Sequence, residues 1–217
     1  MTDQTTFDER IRARMECTGE IHITARRHVM PDAPAFGELQ GLLPRIERTG
    51  GIHGDSSVLA NAFAQAGVLS PHDGKPYSEA MLFGLAGGIG FMYFVFESKG
   101  HAPSLSYVTR SWSLPDEFVE NAVVRTGVQA TVSTTGSANV ARKALFDALT
   151  AERVAICAVD PVFLPYMGLP ALWAGNDAQL IGVVGHRGES VWVDDRCVQP
   201  NVMTMEELEA ARASHKK

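Results

Sequence analysis

The stretch Gly51-Ile52-His53-Gly54-Asp55-Ser56-Ser57 leads into the helix around which we interpret the rest of this chain. Directly after it, apolar residues recur at helical spacing, and this pattern predicts a helix from Ser56 to Ala66 with one face in the core. Asp55 or Ser56 is placed to cap the first turn, because a short polar side chain can accept a hydrogen bond from a backbone N–H there. The apolar residues are Val58, Leu59, Ala62, Phe63 and Ala66.

The composition bounds the size of the protein and its partners. With 217 residues, of which 45% are apolar and 20% charged, the chain can form one full core. We expect a helix and a strand within residues 1–30, followed by a single globular unit at 31–217 whose last helix covers 204–214. The net charge is −6 and the basic residues are scattered, which argues against a nucleic-acid partner.

The sequence contains no sign of export or of a membrane span. Its first twenty residues lack the apolar core of an export signal, so we expect a cytoplasmic protein. The uncharged segment from Ala80 to Phe96 is shorter than the roughly 20 residues that a spanning helix needs, and four glycines interrupt it. We expect a buried helix, a glycine turn and a buried strand there instead, and no membrane partner.

Neither a cofactor nor a metal is predicted. The run Gly87-Gly88-Ile89-Gly90 follows a predicted helix and precedes a predicted strand, which is the reverse of a dinucleotide fingerprint. Asp194 and Asp195 have no third carboxylate at ligand spacing nearby. The three cysteines are odd in number and widely spaced, so we expect reduced thiols rather than a disulfide framework or a zinc site.

The order of the predicted elements indicates an α+β domain with a mainly antiparallel sheet, because helices come first and a run of strands follows. Residues Gly185 to Gly188 are expected to join the last two long strands as a hairpin, and Thr204-Met205-Glu206-Glu207 is a capping box. Further helices are expected at 6–16, 79–85, 115–125, 138–152 and 204–214, and strands at 20–27, 91–97, 128–132, 154–159, 178–184 and 190–193.

Four stretches of the chain resemble the N-terminal domain of butirosin biosynthesis protein H and its relatives, a family similar in fold to papain-like and bacteriocin-leader (C39-type) cysteine peptidases. The resemblance spans roughly residues 45 to 197 and implies a papain-like α+β fold, with N-terminal helices packed on a mainly antiparallel sheet. The stretches are His53 to Leu59, Ser78 to Phe91, Val159 to Tyr166, and the hairpin that ends in Val193-Asp194-Asp195-Arg196.

The resemblance implies acyl transfer in the biosynthesis of an antibiotic or a similar secondary metabolite. In the better-known members, a cysteine at the helix start and a histidine on the penultimate strand, oriented by Asp or Asn, pass an acyl group from a carrier-protein thioester to an amine. This sequence has Gly54 where the family has the cysteine and Gln179 where it has the histidine. Asp195 matches the third position, or Asp194 if the register slips by one residue. The sequence therefore lacks, at these positions, the two residues that a cysteine-histidine mechanism needs.

Three functions remain open for this altered site. The first is acyl transfer without a covalent intermediate, with His53 or Asp55 as the base. The second is cyclisation, isomerisation or hydrolysis of a small biosynthetic intermediate, and the third is a degenerate binding subunit without chemistry. The candidate catalytic residues are His53, Asp55, Gln179 and Asp195, and those of the oxyanion site and cleft are Gly54, Ser56, Ser57 and Tyr166.

The expected partners follow from the same resemblance. A small-molecule substrate and an acyl carrier protein are implied by the family's chemistry. The residues from Thr204 to Ser214 look like the start of a helical domain that often follows in relatives, so such a domain on another polypeptide is a further expected partner. A second copy of this chain is the remaining candidate.

Overall fold

The computed structural model describes residues 9, 12, 13, 15, 16, 50–89, 92–108, 115–196 and 200–214. The described residues between 9 and 16 are helical, in agreement with the helix expected at 6–16. The strand expected at 20–27 lies outside the described residues, as do Cys17 and Cys197.

Within those ranges the chain from residue 50 onward forms five α-helices and six β-strands, with short 3-10 turns at Pro161–Phe163 and Ala171–Trp173. In chain order the elements are α1 (Gly54–Gln65), α2 (Glu79–Leu85), β1 (Met92–Phe96), β2 (Ser104–Val108), α3 (Pro115–Thr126), α4 (Ala138–Thr150), β3 (Ala155–Val159), β4 (Gln179–Arg187), β5 (Ser190–Asp194), β6 (Asn201–Thr204) and α5 (Met205–Ser214).

Strands β3 to β6 form an antiparallel sheet in the order β3-β4-β5-β6, and β1 pairs with β2 in a separate antiparallel ladder. Each strand of the larger sheet pairs with its neighbour in sequence, so no crossover is needed between them. This architecture confirms the α+β class and the antiparallel sheets expected from the order of elements.

The larger sheet is covered on both faces, because successive residues of a strand point to opposite sides. On one face Cys157, Ile181 and Val193 pack with residues of α4 and α5 in one core cluster. On the other face Ile156 packs against a second cluster built by α1, α2 and α3. The residues that join α1 to α3 in this second cluster include Leu59, Phe63, Leu82, Phe118 and Ala122.

Gly182 of β4 lets α1 approach the sheet closely. It pairs with Ile156 on one side and Asp194 on the other, and a Cβ added to it would lie 3.7 Å from Cγ1 of Val58. A larger side chain there would push the helix outward, since this space is already filled. The start of α1 is therefore held next to the ends of β4 and β5.

Three expectations about strands are wrong. Residues 128–132 form no strand, and Val132 is 74% exposed, because β-branched composition without a pairing partner does not make a ladder. The strand expected to be buried at 91–97 is present as β1, but its side chains at Tyr93, Val95 and Phe96 are each more than half exposed. The hairpin turn is shorter than Gly185 to Gly188: β4 continues to Arg187, and Gly188 begins the turn with a φ of +55°.

In the segment from Ala80 to Phe96 a helix is followed by a glycine turn and a strand, as expected, but α2 is not a buried helix, because Leu82 is its one buried residue. Gly87 adopts a φ of +87°, and a Cβ on Gly88 would overlap the Phe83 ring at 2.5 Å, so both glycines serve the turn. Among the described residues, no helix combines the length and the hydropathy needed to cross a membrane.

Candidate functional site

His53 is the N-cap of α1, in place of the expected Asp55 or Ser56. Its Nδ1 accepts from the backbone N–H of Ser56 at 3.3 Å and lies 2.9 Å from Ser56 Oγ. An accepting Nδ1 requires the neutral tautomer with its proton on Nε2. In this arrangement Nδ1 is engaged by the first turn of α1.

The His53 ring lies against the aromatic residues of the neighbouring helices. Its centroid is 4.9 Å from that of Phe83 in an edge-on geometry and 5.6 Å from that of Phe118. The side chain is half-buried there. His53 therefore joins the start of α1 to the aromatic part of the core.

Glu79, the first residue of α2, holds the loop that precedes α1. Its Oε1 accepts from the backbone N–H of His53 at 2.6 Å, and both carboxylate oxygens accept from Ile52 N at 3.1 and 3.2 Å. Sequence reasoning missed this role. An acidic residue in the first turn of a helix is common, and nothing local to Glu79 points to a partner 26 residues away.

Asp55 is turned into the fold. Only 4% of it is exposed, and its Oδ1 accepts from the backbone N–H of Leu180 at 3.0 Å. This bond joins the first turn of α1 to β4 across 125 residues of sequence. The carboxylate thus has a structural role that the sequence did not indicate.

The other two proposed catalytic positions come together at the ends of β4 and β5. Gln179 Nε2 donates to Asp195 Oδ2 at 3.0 Å, and Arg196 Nε donates to Asp195 Oδ1 at 3.2 Å. The side chain of Asp195 is only 1% exposed, so its charge is held by these donors rather than by water. Arg196 adopts a left-handed backbone with a φ of +56°.

Gly54 lies against this group. A Cβ at Gly54 would be 3.9 Å from both Cδ and Nε of Arg196. The backbone N–H of Gly51 also donates to the Arg196 carbonyl at 3.2 Å, which ties the loop before α1 to the end of β5. Gly54, Gln179 and Asp195 are therefore neighbours through Arg196, a residue to which sequence reasoning assigned no role.

The remaining residues predicted for the oxyanion site and cleft are buried. Ser57 Oγ donates to the Gly54 carbonyl at 2.9 Å, within the first turn of α1. Ser56 is engaged with His53, and Tyr166 packs in the core cluster beside α4 and α5. These three side chains support the site and do not line the cavity described next.

An open cavity of about 350 Å³ lies beside Arg196. One part of its wall is apolar and consists of Pro161, Val162, Met167, Leu169 and Trp173. The rest is polar and consists of Asn176, Asp177, Gln179 and Arg196. An apolar wall with a few grouped polar atoms is the usual form of a small-molecule site.

Cys157 is not a displaced nucleophile. It is fully buried on β3, and burial raises the pKa of its thiol, while the positive charge of Arg212 partly opposes that rise. A thiol of this kind stays protonated at neutral pH. Over the part of the chain that the structure describes, no three His, Cys, Asp or Glu residues are grouped to hold a metal ion.

The chain is therefore an α+β protein whose cavity is lined by Gln179 at the start of β4 and by Arg196 just after β5. Residues 53–196 match the family described as butirosin biosynthesis protein H, N-terminal. Since this match covers more than half of the chain, the protein belongs to that family, and the resemblance seen in the sequence is confirmed. No curated protein and no solved structure matched the chain.

Proposed function

We propose that this protein is an acyltransferase-like member of a bacterial antibiotic or secondary-metabolite pathway, with a papain-like fold. It transfers an acyl group from a carrier-protein thioester to an amine, without a covalent cysteine intermediate. The family name, which refers to butirosin biosynthesis, supports the biosynthetic context. The observation that carries the proposal is that Gln179 and Arg196 both donate to Asp195 and both line the cavity, with Gly54 beside the Arg196 side chain.

The placement of these residues supports a papain-like ancestry. The resemblance puts a cysteine, a histidine and an acid at three positions that are far apart in sequence. By the resemblance, Gly54, Gln179 and Asp195 stand at those positions. Gln179 and Arg196 both donate to Asp195, and the Arg196 side chain lies beside Gly54. A helix start packed against neighbouring ends of an antiparallel sheet is also the arrangement that a thiol enzyme of this class requires.

The chemistry that we propose needs no protein nucleophile. The amine nitrogen attacks the thioester carbonyl carbon, the C–S bond breaks, and the proton lost by nitrogen leaves on the carrier thiolate. The products are an amide and the free carrier thiol. A thioester is already activated, and holding it against the amine is worth about 7–11 kcal/mol of the barrier.

The backbone N–H groups at the start of α1, beside Gly54, are suited to the negative charge that develops on the carbonyl oxygen. Asp55 is not assigned as the base, because its carboxylate is buried on Leu180 N. His53 is not assigned either, because its Nδ1 accepts from Ser56 N.

The test is incubation with acyl-carrier thioesters and a panel of amines, followed by intact mass spectrometry. We expect an amide product and protein of unchanged mass. A stable acyl adduct on the protein of wild-type sequence would refute transfer without a covalent intermediate.

A substitution tests the position itself. In Gly54→Cys a thiol stands at the start of α1, where the helix favours the thiolate, and we expect it to take the acyl group from the thioester. Gly136→Cys is the matched control, since no atom lies near a side chain added there. Equal acylation of the two variants would contradict the assignment of Gly54 to the nucleophile position.

The second candidate is a binding subunit without chemistry. It is favoured by the engagement of Asp55 with β4, because this removes one of the two candidate bases. A binding subunit would associate with the acyl carrier protein in a saturable way and yield no amide with any amine in the panel.

A further inference from the structure

We infer that the cavity beside Arg196 binds an amine that also has a carboxylate, of the class of apolar α-amino acids. This inference rests on the proposed function in one respect: once its ammonium group has released one proton to solvent, the bound amino acid is the acceptor of the acyl group. The binding itself depends only on the groups that line the cavity.

Arg196 provides the site for the carboxylate. Its Nε donates to Asp195, and its Nη2 contacts only the Met167 sulfur, at 3.8 Å. Among the described residues, no oxygen accepts from the two terminal nitrogens of this guanidinium. These nitrogens present parallel donors, which match the two oxygens of a carboxylate.

The guanidinium is also held in position before any ligand arrives. The hydrogen bond from Arg196 Nε to Asp195 restrains the guanidinium, and the hydrogen bond from Gln179 restrains Asp195. About a third of the Arg196 side chain is exposed, at 34%, so its outer edge remains accessible. A donor that is already oriented loses little entropy when it binds.

Asp177 and Gln179 provide the site for the ammonium group. Gln179 uses Nε2 on Asp195, which leaves its carbonyl Oε1 as an acceptor. Asp177 accepts from the backbone N–H of Ala178 through Oδ1 and lines the same cavity. A ligand with only a carboxylate would be repelled by Asp177, and a ligand with only an ammonium group would be repelled by Arg196. The lining therefore complements a zwitterion.

The apolar wall provides the site for the side chain of the amino acid. Met167, Leu169 and Trp173 lie on this wall, and Trp173 is 52% exposed. A cavity of about 350 Å³ is at the small end of ligand sites, which suits one amino acid rather than a peptide.

The experiment compares three ligands with the same phenyl group by isothermal titration calorimetry: L-phenylalanine, 3-phenylpropionate and 2-phenylethylamine. We expect L-phenylalanine to bind at least about tenfold more tightly than either of the others, because only it pairs with both charges. Similar affinities for all three ligands would overturn the inference.

Variants assign each charge to its partner. Arg196→Gln should weaken phenylalanine and phenylpropionate about tenfold and spare phenylethylamine, whereas Asp177→Asn should weaken phenylalanine and phenylethylamine and spare phenylpropionate. Arg187→Gln makes the same charge change at the other end of β4, about 26 Å away, and should change none of them. Equal losses in Arg196→Gln and Arg187→Gln would contradict a role for Arg196.

The fold of each variant is checked by circular dichroism. If Arg196→Gln does not fold, Arg196→Lys keeps a positive charge beside Asp195 but loses the parallel donors, and it should still weaken phenylalanine and phenylpropionate. The role of Arg196 would be overturned if Arg196→Lys bound phenylalanine and phenylpropionate with unchanged affinity. The role of Asp177 would be overturned if Asp177→Asn bound phenylalanine and phenylethylamine with unchanged affinity.

Failure of this inference is distinguishable from failure of the proposed function, because binding is measured without a thioester. Acylation of phenylethylamine and phenylalanine at equal rates would overturn the inference and leave acyl transfer standing. Binding of phenylalanine without amide formation from any thioester would support the site and overturn acyl transfer.

Discussion

Gly51 shows how a single residue determines the geometry before α1. A Cβ added to it would lie 2.0 Å from Ser57 Cβ and 2.6 Å from Ser57 Oγ, which is well inside contact distance. The loop before α1 cannot move away without straining two hydrogen bonds, one from Gly51 N to the Arg196 carbonyl and one from Ile52 N to Glu79. The absence of a side chain at this position is therefore a structural requirement.

We predict that Gly51→Ala destabilises the protein by about 1–3 kcal/mol, the usual cost of inserting a methyl group into filled space. The measurement is the midpoint of urea unfolding followed by circular dichroism. Gly136→Ala is the control, because no atom lies within 4 Å of an added Cβ there and its φ is ordinary. Equal midpoints for the two variants would show that the loop before α1 tolerates a side chain.

At the scale of an element, the capping box of α5 could be predicted from four consecutive residues. Thr204 Oγ1 accepts from Glu207 N at 3.1 Å, and Glu207 Oε2 accepts from Thr204 N at 2.7 Å, as the sequence predicts. Both partners lie within one turn, so local sequence is sufficient to determine the contact. The helix then packs Met205, Leu208 and Ala211 into the core.

We expect Thr204→Ala to lower the free energy of unfolding by about 1 kcal/mol, because the first turn of α5 loses its acceptor. Thr204→Ser keeps the hydroxyl and should retain most of the stability. Thermal unfolding of both variants, monitored by calorimetry, is the test. A loss in the serine variant as large as in the alanine variant would attribute the effect to the methyl group instead.

Elements that depend on distant partners were harder to predict than this helix. Residues 128–132 have strand composition and form no strand, whereas Ser104–Val108 was not predicted and forms β2. A strand exists only where a second strand pairs with it, and β2 finds that partner in β1. Helices α1 to α4 were placed to within a few residues, because their hydrogen bonds are local.

At the scale of the whole molecule, Asp55 joins the helical cluster to the sheet. Its bond to Leu180 N connects α1, which packs with α2 and α3, to β4, which contributes to the opposite core cluster through Ile181. A buried N–H that loses its acceptor is costly, because water cannot replace the bond.

We predict that Asp55→Ala destabilises the fold by roughly 1–3 kcal/mol and that Asp55→Asn, which keeps an acceptor oxygen, costs less. Chemical denaturation of the two variants tests the structural role. Amide formation by the folded Asp55→Asn variant tests the chemistry, and we expect it to persist. Loss of turnover with an intact fold would identify Asp55 as the base and contradict the role described here.

The sequence by itself determined the family, the α+β class and most helices. It also predicts Gly54, Gln179 and Asp195 as positions of an altered site, and this stays a prediction. Tertiary structure alone decided that His53 caps α1, that Asp55 supports β4, that Glu79 holds the loop, and that Arg196 lies over Gly54. The physical reason is the range of the interactions. Periodicity and caps act within a few residues and are visible in sequence, whereas these contacts join groups that only folding brings together.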